Sequence, residues 1–385
     1  VIGLGGQGTR HCQGFSALGD LCEVVAVCDV DPTRRAKAAS TCPNPTAVHQ
    51  VEDYRKIIED SSIDSVSVAT PDHWHTPVAL AALAAGKHVY VEKPCCHNIL
   101  EGKLLVEAAV RTNKCVQHGT QSRSGKGIQD AIQFMREGNL GKVRMAKAIN
   151  CQLREPIGCE PESDPPPGVN YDLWLGPAPK HAFTKNRWHY NWHWFWDYGT
   201  GDMGNDGIHQ VDVARWGLGM GLPKVVNASG GHLFYEDDHE TPDTQVVTFE
   251  YEGCYLLYEM RLWTDYKSEG HDNGVIFYGD KGKLEVGRDG CMVYAIGEKP
   301  RKIGEGSDFD GNVRNFVECV REDGPSKLNA PISEGAQSAI LCHLGNIGTR
   351  LGRQLRFDAT RYAFEGDAEA DRLLTREYRK GYELT

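Results

Sequence analysis

The run Gly3-Leu4-Gly5-Gly6-Gln7-Gly8 constrains this chain more than any other short stretch. A G-x-G-x-x-G between an apolar stub and a helix lets the backbone approach a pyrophosphate, whose charge then rests on the positive end of that helix. Alone the pattern is weak, because a glycine-rich turn with no ligand reads the same. Its context narrows the choice. Residues 23–28 read as a second strand, and Asp29 follows where a dinucleotide fold puts the acid that binds the ribose hydroxyls. An acid there repels a 2′-phosphate and favours NAD, while Arg34 and Arg35 leave NADP open. Only Val1 and Ile2 precede Gly3, so the first strand is expected to begin upstream of the sequence given.

The alternation continues with a helix over 31–40, a strand at 47–49, a helix over 53–59 and a strand over 64–69. Residues 69–94, ATPDHWHTPVALAALAAGKHVYVEKP, then read as strand end, helix and strand. Val89, Tyr90 and Val91 form an unbroken apolar run after a Gly86-Lys87 helix stop, which suits a parallel strand buried on both faces. Pro94 restricts the residue before it to extended geometry, so Lys93 projects from the carboxyl edge of the sheet, where open α/β sheets bind ligands. A lone lysine there would as readily cover a strand end. A helix over 100–112 and a strand at 115–117 complete a doubly wound parallel sheet, giving a dinucleotide-binding Rossmann domain over 1–120.

Residues 121–385 change texture. After a helix over 126–137, strands are expected at 143–153, 225–235, 244–251, 254–262, 275–279, 282–286 and 292–295, forming an α/β domain around one large, mostly antiparallel open sheet. Such a sheet offers a flat face to a partner, so a homo-dimer or homo-tetramer is expected through it. The proline- and acid-rich stretch 155–168 reads as an exposed loop. A formal net charge of -11 argues against nucleic acid, and the longest apolar run, 78–85, is too short to cross a bilayer. Thirteen scattered cysteines without a CxxC pair read as reduced thiols, which points to the cytoplasm and leaves an exported form open.

Two clusters in this half carry polar chemistry. On helical spacing Asn205, His209, Asp212 and Trp216 share one face, with Asp206 one step round. A histidine flanked by an amide and carboxylates suits proton transfer near neutral pH, although a hydrogen-bonded core histidine is the commoner outcome for an isolated match. Upstream, residues 188–196 (WHYNWHWFW) hold four of the eight tryptophans. Aromatic faces with polar edges suit a sugar, and they equally suit packing at an interface. His189 and His193 have the spacing of a helical metal pair, but no third ligand is evident and no metal is expected.

Together these motifs resemble the Gfo/Idh/MocA oxidoreductases, the family of glucose-fructose oxidoreductase and inositol dehydrogenases. The resemblance runs from Gly3–Gly8 through Thr70-Pro71 with His75, Glu92-Lys93-Pro94, and Gly207-Ile208-His209-Gln210-Val211-Asp212. It implies Lys93 and His209 as the catalytic pair, with Gly3, Gly5, Gly6, Gln7, Gly8, Asp29, Thr70, Pro71, His75, Glu92 and Lys93 around the cofactor. Arg123, Trp188, His189, Asn205 and Asp206 are expected on the side of a carbohydrate substrate. The chain departs from the family at Asn205, where many members carry aspartate, so either Asp206 or Asp212 compensates or the role of His209 is weaker than usual. The implied activity is hydride transfer between a nicotinamide and a secondary hydroxyl or ketone of a sugar, cyclitol or glycoside. An NAD-dependent glycosidase using transient oxidation and a non-catalytic sugar or dinucleotide sensor are the alternatives.

Overall fold

Ile2 serves as a central strand one residue long. In the computed structural model, which describes residues 1–322 and 324–384, Ile2 bridges Cys28 on one side and Val68 on the other, both in parallel. Its N–H donates to Ser67 O and that of Gly3 to Cys28 O, each at 2.8 Å. Around it lie β1 (Ala26–Cys28), β2 (His49–Val51), β3 (Ser65–Val68), β4 (His88–Val91) and β5 (Val116–His118). The order is β2–β1–Ile2–β3–β4–β5, with parallel pairing throughout. The chain reverses its direction of growth between Ile2 and β3, the position where such sheets open a crevice at their carboxyl ends. Every residue of β4 is buried, as its continuous apolar run implies.

The second half forms one ten-stranded sheet. Its strands in chain order are β6 (Val143–Asn150), β7 (Val225–Gly231), β8 (Thr244–Tyr251), β9 (Cys254–Arg261), β10 (Asn273–Gly279), β11 (Gly282–Gly287), β12 (Gly290–Ala295), β13 (Arg301–Gly304), β14 (Leu355–Asp358) and β15 (Ala363–Phe364). Across the sheet they run β13–β12–β11–β10–β6–β9–β8–β7–β14–β15, antiparallel except for the β6/β9 pair. Three strands escape the sequence reading, because β13, β14 and β15 are short, lie at the two ends of the sheet and carry little alternation.

The strand expected over 225–235 stops at Gly231 for a local reason. The carboxylate of Asp243 takes the N–H groups of Leu233, Phe234 and Tyr235 at 2.7–3.1 Å, so the backbone leaves the ladder. Helix Ile208–Leu218 packs on β6 and β10, and helix Ile332–Leu351 packs on both β7 and helix Ile99–Thr112, which ties the two halves together. The other face of the sheet exposes Met145, Val246 and Tyr255. Among the described residues no helix is long and apolar enough to cross a membrane.

Candidate active site

The glycine turn is shaped by close approach. Gly3 has φ +83°, and a Cβ there would meet Thr70 N at 2.5 Å; one on Gly8 would lie 1.8 Å from Gly3 O. Gly8 therefore serves helix-to-strand packing, whereas Gly6 faces open space at the start of helix Gly6–Ser16. No acidic residue occupies that helix's first turn, which leaves its positive end free for an anion. Asp29 is held by the N–H groups of Leu4 (2.7 Å) and Asp31 (2.9 Å). Burial pushes its carboxyl up, against those two hydrogen bonds. Arg35 is spent on Asp29 O, while Arg34 lines the cavity.

That cavity, of about 410 Å³, runs from the glycine turn past Asp29, Thr70, Pro71 and His75 to Glu92, Lys93 and Asn205. Thr70 Oγ1 is buried there with no hydrogen-bond partner among the described residues. An open helix end, a fixed acid and an orphaned hydroxyl fit a dinucleotide.

Lys93 sits at the far end, before a cis bond to Pro94. Its Nζ donates to Asn205 O at 2.5 Å and to Asn205 Oδ1 at 3.2 Å. Asn205 Nδ2 donates in turn to Asp202 Oδ1 (2.9 Å) and to the Tyr190 hydroxyl (3.2 Å), and Asp202 pairs with Arg154 at 3.0 Å. The carboxylate that Asn205 lacks is thus present one step back, at Asp202. Neither Asp206 nor Asp212 takes that place: Asp206 accepts from Asn273 at 3.0 Å, and Asp212 is bound by Arg123.

Glu92 braces the lysine from below. Burial alone would raise its carboxyl, but His11 (2.8 Å), the charge of Lys93 and Gln7 (2.9 Å) together hold it below the usual carboxylate range. Gln7 is accordingly tied to Glu92. His75 lies with Nδ1 2.6 Å from Pro94 O and Nε2 2.8 Å from Thr70 O; burial pulls its pKa down to about 4, so the neutral ring donates to one of the two carbonyls at a time.

His209 is not among the residues that wall the cavity; it lies behind them, within the field of Lys93 and Glu92. Burial, and then the positive charge of Lys93, hold its pKa down to about 3, so the resting ring is neutral near pH 7. Its Nδ1 has no hydrogen-bond partner among the described residues, so the flanking amide and carboxylates expected to orient it do other work. The greatest departure is Arg123. Its guanidinium is 4% exposed, absent from the cavity wall and bound to Asp212 through three contacts of 2.8–3.1 Å, with Glu334 at 3.3 Å. The structure thus places it behind the cavity wall, paired within the protein, where the sequence reading expected it on the substrate side.

The aromatic run roofs the cavity. Trp188, His189, Tyr190, Trp192 and His193 all line it. His189 has its pKa lowered to about 4 by burial and then by Arg34, which puts it toward the Asp29 end; Tyr190 stands at the Lys93 end. Residues His189–Trp194 wind as a 3-10 helix and His193 Nδ1 meets Tyr190 O, so the i, i+4 metal geometry of His189 and His193 never forms. Sequence reasoning missed Asp202, Arg154, Tyr190 and His11. Asp202 carried a signal, an acid one turn before Asn205; Arg154 carried none, since it arrives from a loop after β6.

Residues 1–120 match the model of the GFO_IDH_MocA oxidoreductase family's NAD-binding Rossmann fold, and residues 159–384 match that family's C-terminal alpha/beta domain. Among curated proteins the chain is similar to a glycosyl hydrolase family 109 protein of Shewanella pealeana, 29% identical over 153 residues, or 38% of this chain and 33% of that protein. A protein of the same description from Saccharopolyspora erythraea is 34% identical over 163 residues, covering 40% and 35%. The matched segment spans about a third of these relatives' length. Among solved structures, the WlbA dehydrogenase of Bordetella pertussis in complex with NADH and UDP-GlcNAcA superposes with a TM-score of 0.73 at 20% identity over 93% of this chain and 97% of its own. An inositol dehydrogenase homolog of Azotobacter vinelandii with NADH and myo-inositol gives 0.70 at 18% identity over 92% and 96%.

Proposed function

The chain belongs to the Gfo/Idh/MocA oxidoreductase family, and from that premise we propose an NAD-dependent dehydrogenase or reductase acting on a secondary hydroxyl or ketone of a sugar, cyclitol or glycoside. The nicotinamide, when bound, supplies the carbon that takes or gives the hydride. Gly3, Gly5 and Gly6 with the helix end would hold the pyrophosphate, and Asp29 the ribose hydroxyls. We assign residues 1–120 to this dinucleotide domain and 121–385 to substrate binding and self-association.

Lys93, steered by both oxygens of Asn205, keeps an N–H for the substrate oxygen and stabilises the negative charge that grows on it. His209 would accept the hydroxyl proton, a role that requires bound substrate and cofactor to lift the basicity that burial and Lys93 hold down in the free protein. Tyr190, Trp192 and His193 wall that end of the cavity. The observation that carries the reading is an ammonium fixed at the end of the same cavity that begins at the glycine turn. Lys93→Ala should retain NAD binding and lose turnover across a panel of sugars and cyclitols followed at the NADH absorbance. Equal turnover in the variant rejects the assignment.

A second reading is favoured by the glycosyl hydrolase relatives: the same pair could oxidise a glycoside, allow elimination and reduce it back without net NADH release. Release of an aryl aglycone at constant cofactor absorbance would select it. Self-association through the face bearing Met145, Val246 and Tyr255 is part of the proposal, and Tyr255→Arg should shift the protein toward monomer on sedimentation.

A further inference from the structure

The loop after β7 turns back toward the aromatic roof and gathers three residues that the proposed reaction does not use. His232, Asp237 and His239 each bring one donor atom within 4.8 Å of the other two. Asp237 is central, with Oδ1 at 3.4 Å from His232 Nε2 and 2.7 Å from His239 Nδ1. The side chain of His239 is fully buried, and its Nε2 has no hydrogen-bond partner among the described residues. Nitrogen and carboxylate donors around a zinc ion lie about 3.3 Å apart at ordinary bond lengths, so an ion would replace the hydrogen bond between His239 Nδ1 and Asp237 Oδ1 or take His239 through its unpartnered Nε2.

The surroundings are organised for it. Asp237 Oδ2 accepts the Ile157 N–H at 2.7 Å, which fixes the carboxylate from behind, as the outer partners of metal ligands do. Asp243 grips three consecutive N–H groups of the same loop, so its path is set without an ion. The stretch from Glu236 to Asp243 also contains five acids and no basic residue except His239, a field that favours a cation. A helical reading of histidine spacing passed over this set, because His232 stands on an irregular loop where a strand was expected and His239 lies beyond that strand.

We propose that His232, Asp237 and His239 form a structural site for a divalent transition metal of zinc's class. The site clasps the roof of the cavity. The His239 ring packs 5.2 Å from that of Trp194, Glu240 N–H donates to Trp194 O at 2.9 Å, and Asp238 holds the Asn186 side chain upstream of Trp188. An ion there would fix the conformation of the loop whose residues 238–240 hold the segment that carries Trp188 to Trp194.

The test uses tag-free full-length protein, stripped by chelator and titrated with zinc chloride by calorimetry, with bound metal counted by plasma mass spectrometry. One zinc per chain is expected, along with a rise in the thermal midpoint. His232→Ala is the decisive variant, since His232 is partly exposed and removing it leaves the Asp237–His239 contact in place. It should fold and bind zinc at least tenfold more weakly. The proposal is overturned if the wild type retains no zinc, or if His232→Ala binds it as tightly.

Discussion

Replacing Arg123 by alanine separates the two roles that residue can play. The guanidinium makes three contacts to a fully buried carboxylate, and among the described residues Ser338 makes the only other side-chain hydrogen bond to Asp212, at 2.6 Å. Removing one partner of a buried pair leaves an uncompensated charge and costs about 3–5 kcal/mol. Ser338 still offers its hydroxyl, so the lower end, about 3 kcal/mol, is the expected loss.

The pH dependence carries a sign. In the native protein burial raises the Asp212 carboxyl but Arg123 outweighs it and holds it below its ordinary value, so its stabilisation is complete above about pH 4 and is lost as pH falls further. Without Arg123 burial dominates and the carboxyl moves up. Protonation then relieves the buried charge, and the deficit relative to wild type should shrink between pH 7 and pH 5.5. Urea unfolding followed by tryptophan fluorescence at the two values measures both effects. The paired replacement Arg123→Met with Asp212→Leu should recover most of the loss. A variant that loses under about 1 kcal/mol while its KM rises sharply would refute the argument and return Arg123 to the substrate.

Asn205→Asp should not behave as a gain. The new carboxylate would face Asp202 Oδ1 where Asn205 Nδ2 now donates, and the urea midpoint should fall by the equivalent of about 1–3 kcal/mol; an unchanged midpoint contradicts this. Acid lability should begin well above the carboxylate range. His73 and His209 are held near 3 and His75 and His343 near 4, in each case chiefly by burial. The unfolded chain takes up those protons below about pH 6.5 and the folded one refuses them, so stability falls with pH by up to about 1.4 kcal/mol per unit for each ring. A flat urea midpoint from pH 7.5 to 5 would count against it. Gly8→Ala, whose methyl would meet Gly3 O, should abolish NAD binding measured by calorimetry; retained affinity would show that the turn tolerates being reopened.

Much of this was legible because it is local. Gly3–Gly8, the apolar run of β4 and the proline after Lys93 each impose geometry on their neighbours, and neighbours are what a sequence displays. The partners of His209 were not legible. Helical spacing put Asn205, Asp206 and Asp212 on its side of one helix, yet Met203–Gly207 wind as a π-helix and each of the three finds a distant partner: Lys93 for Asn205, Asn273 for Asp206 and Arg123 for Asp212. Those competitors lie at sequence separations of 112, 67 and 89, beyond any periodicity. The metal-type cluster failed for a related reason, since Asp243 bends its loop out of the strand that alternation suggested.

The most direct test of the central claim is a crystal structure with NAD bound. The account requires the nicotinamide C4 beside Lys93 Nζ, with a ring nitrogen of His209 placed so that one substrate hydroxyl lies within roughly 3–3.5 Å of both groups. A nicotinamide ring directed away from Lys93, or a His209 ring walled off from it by protein, would contradict the account.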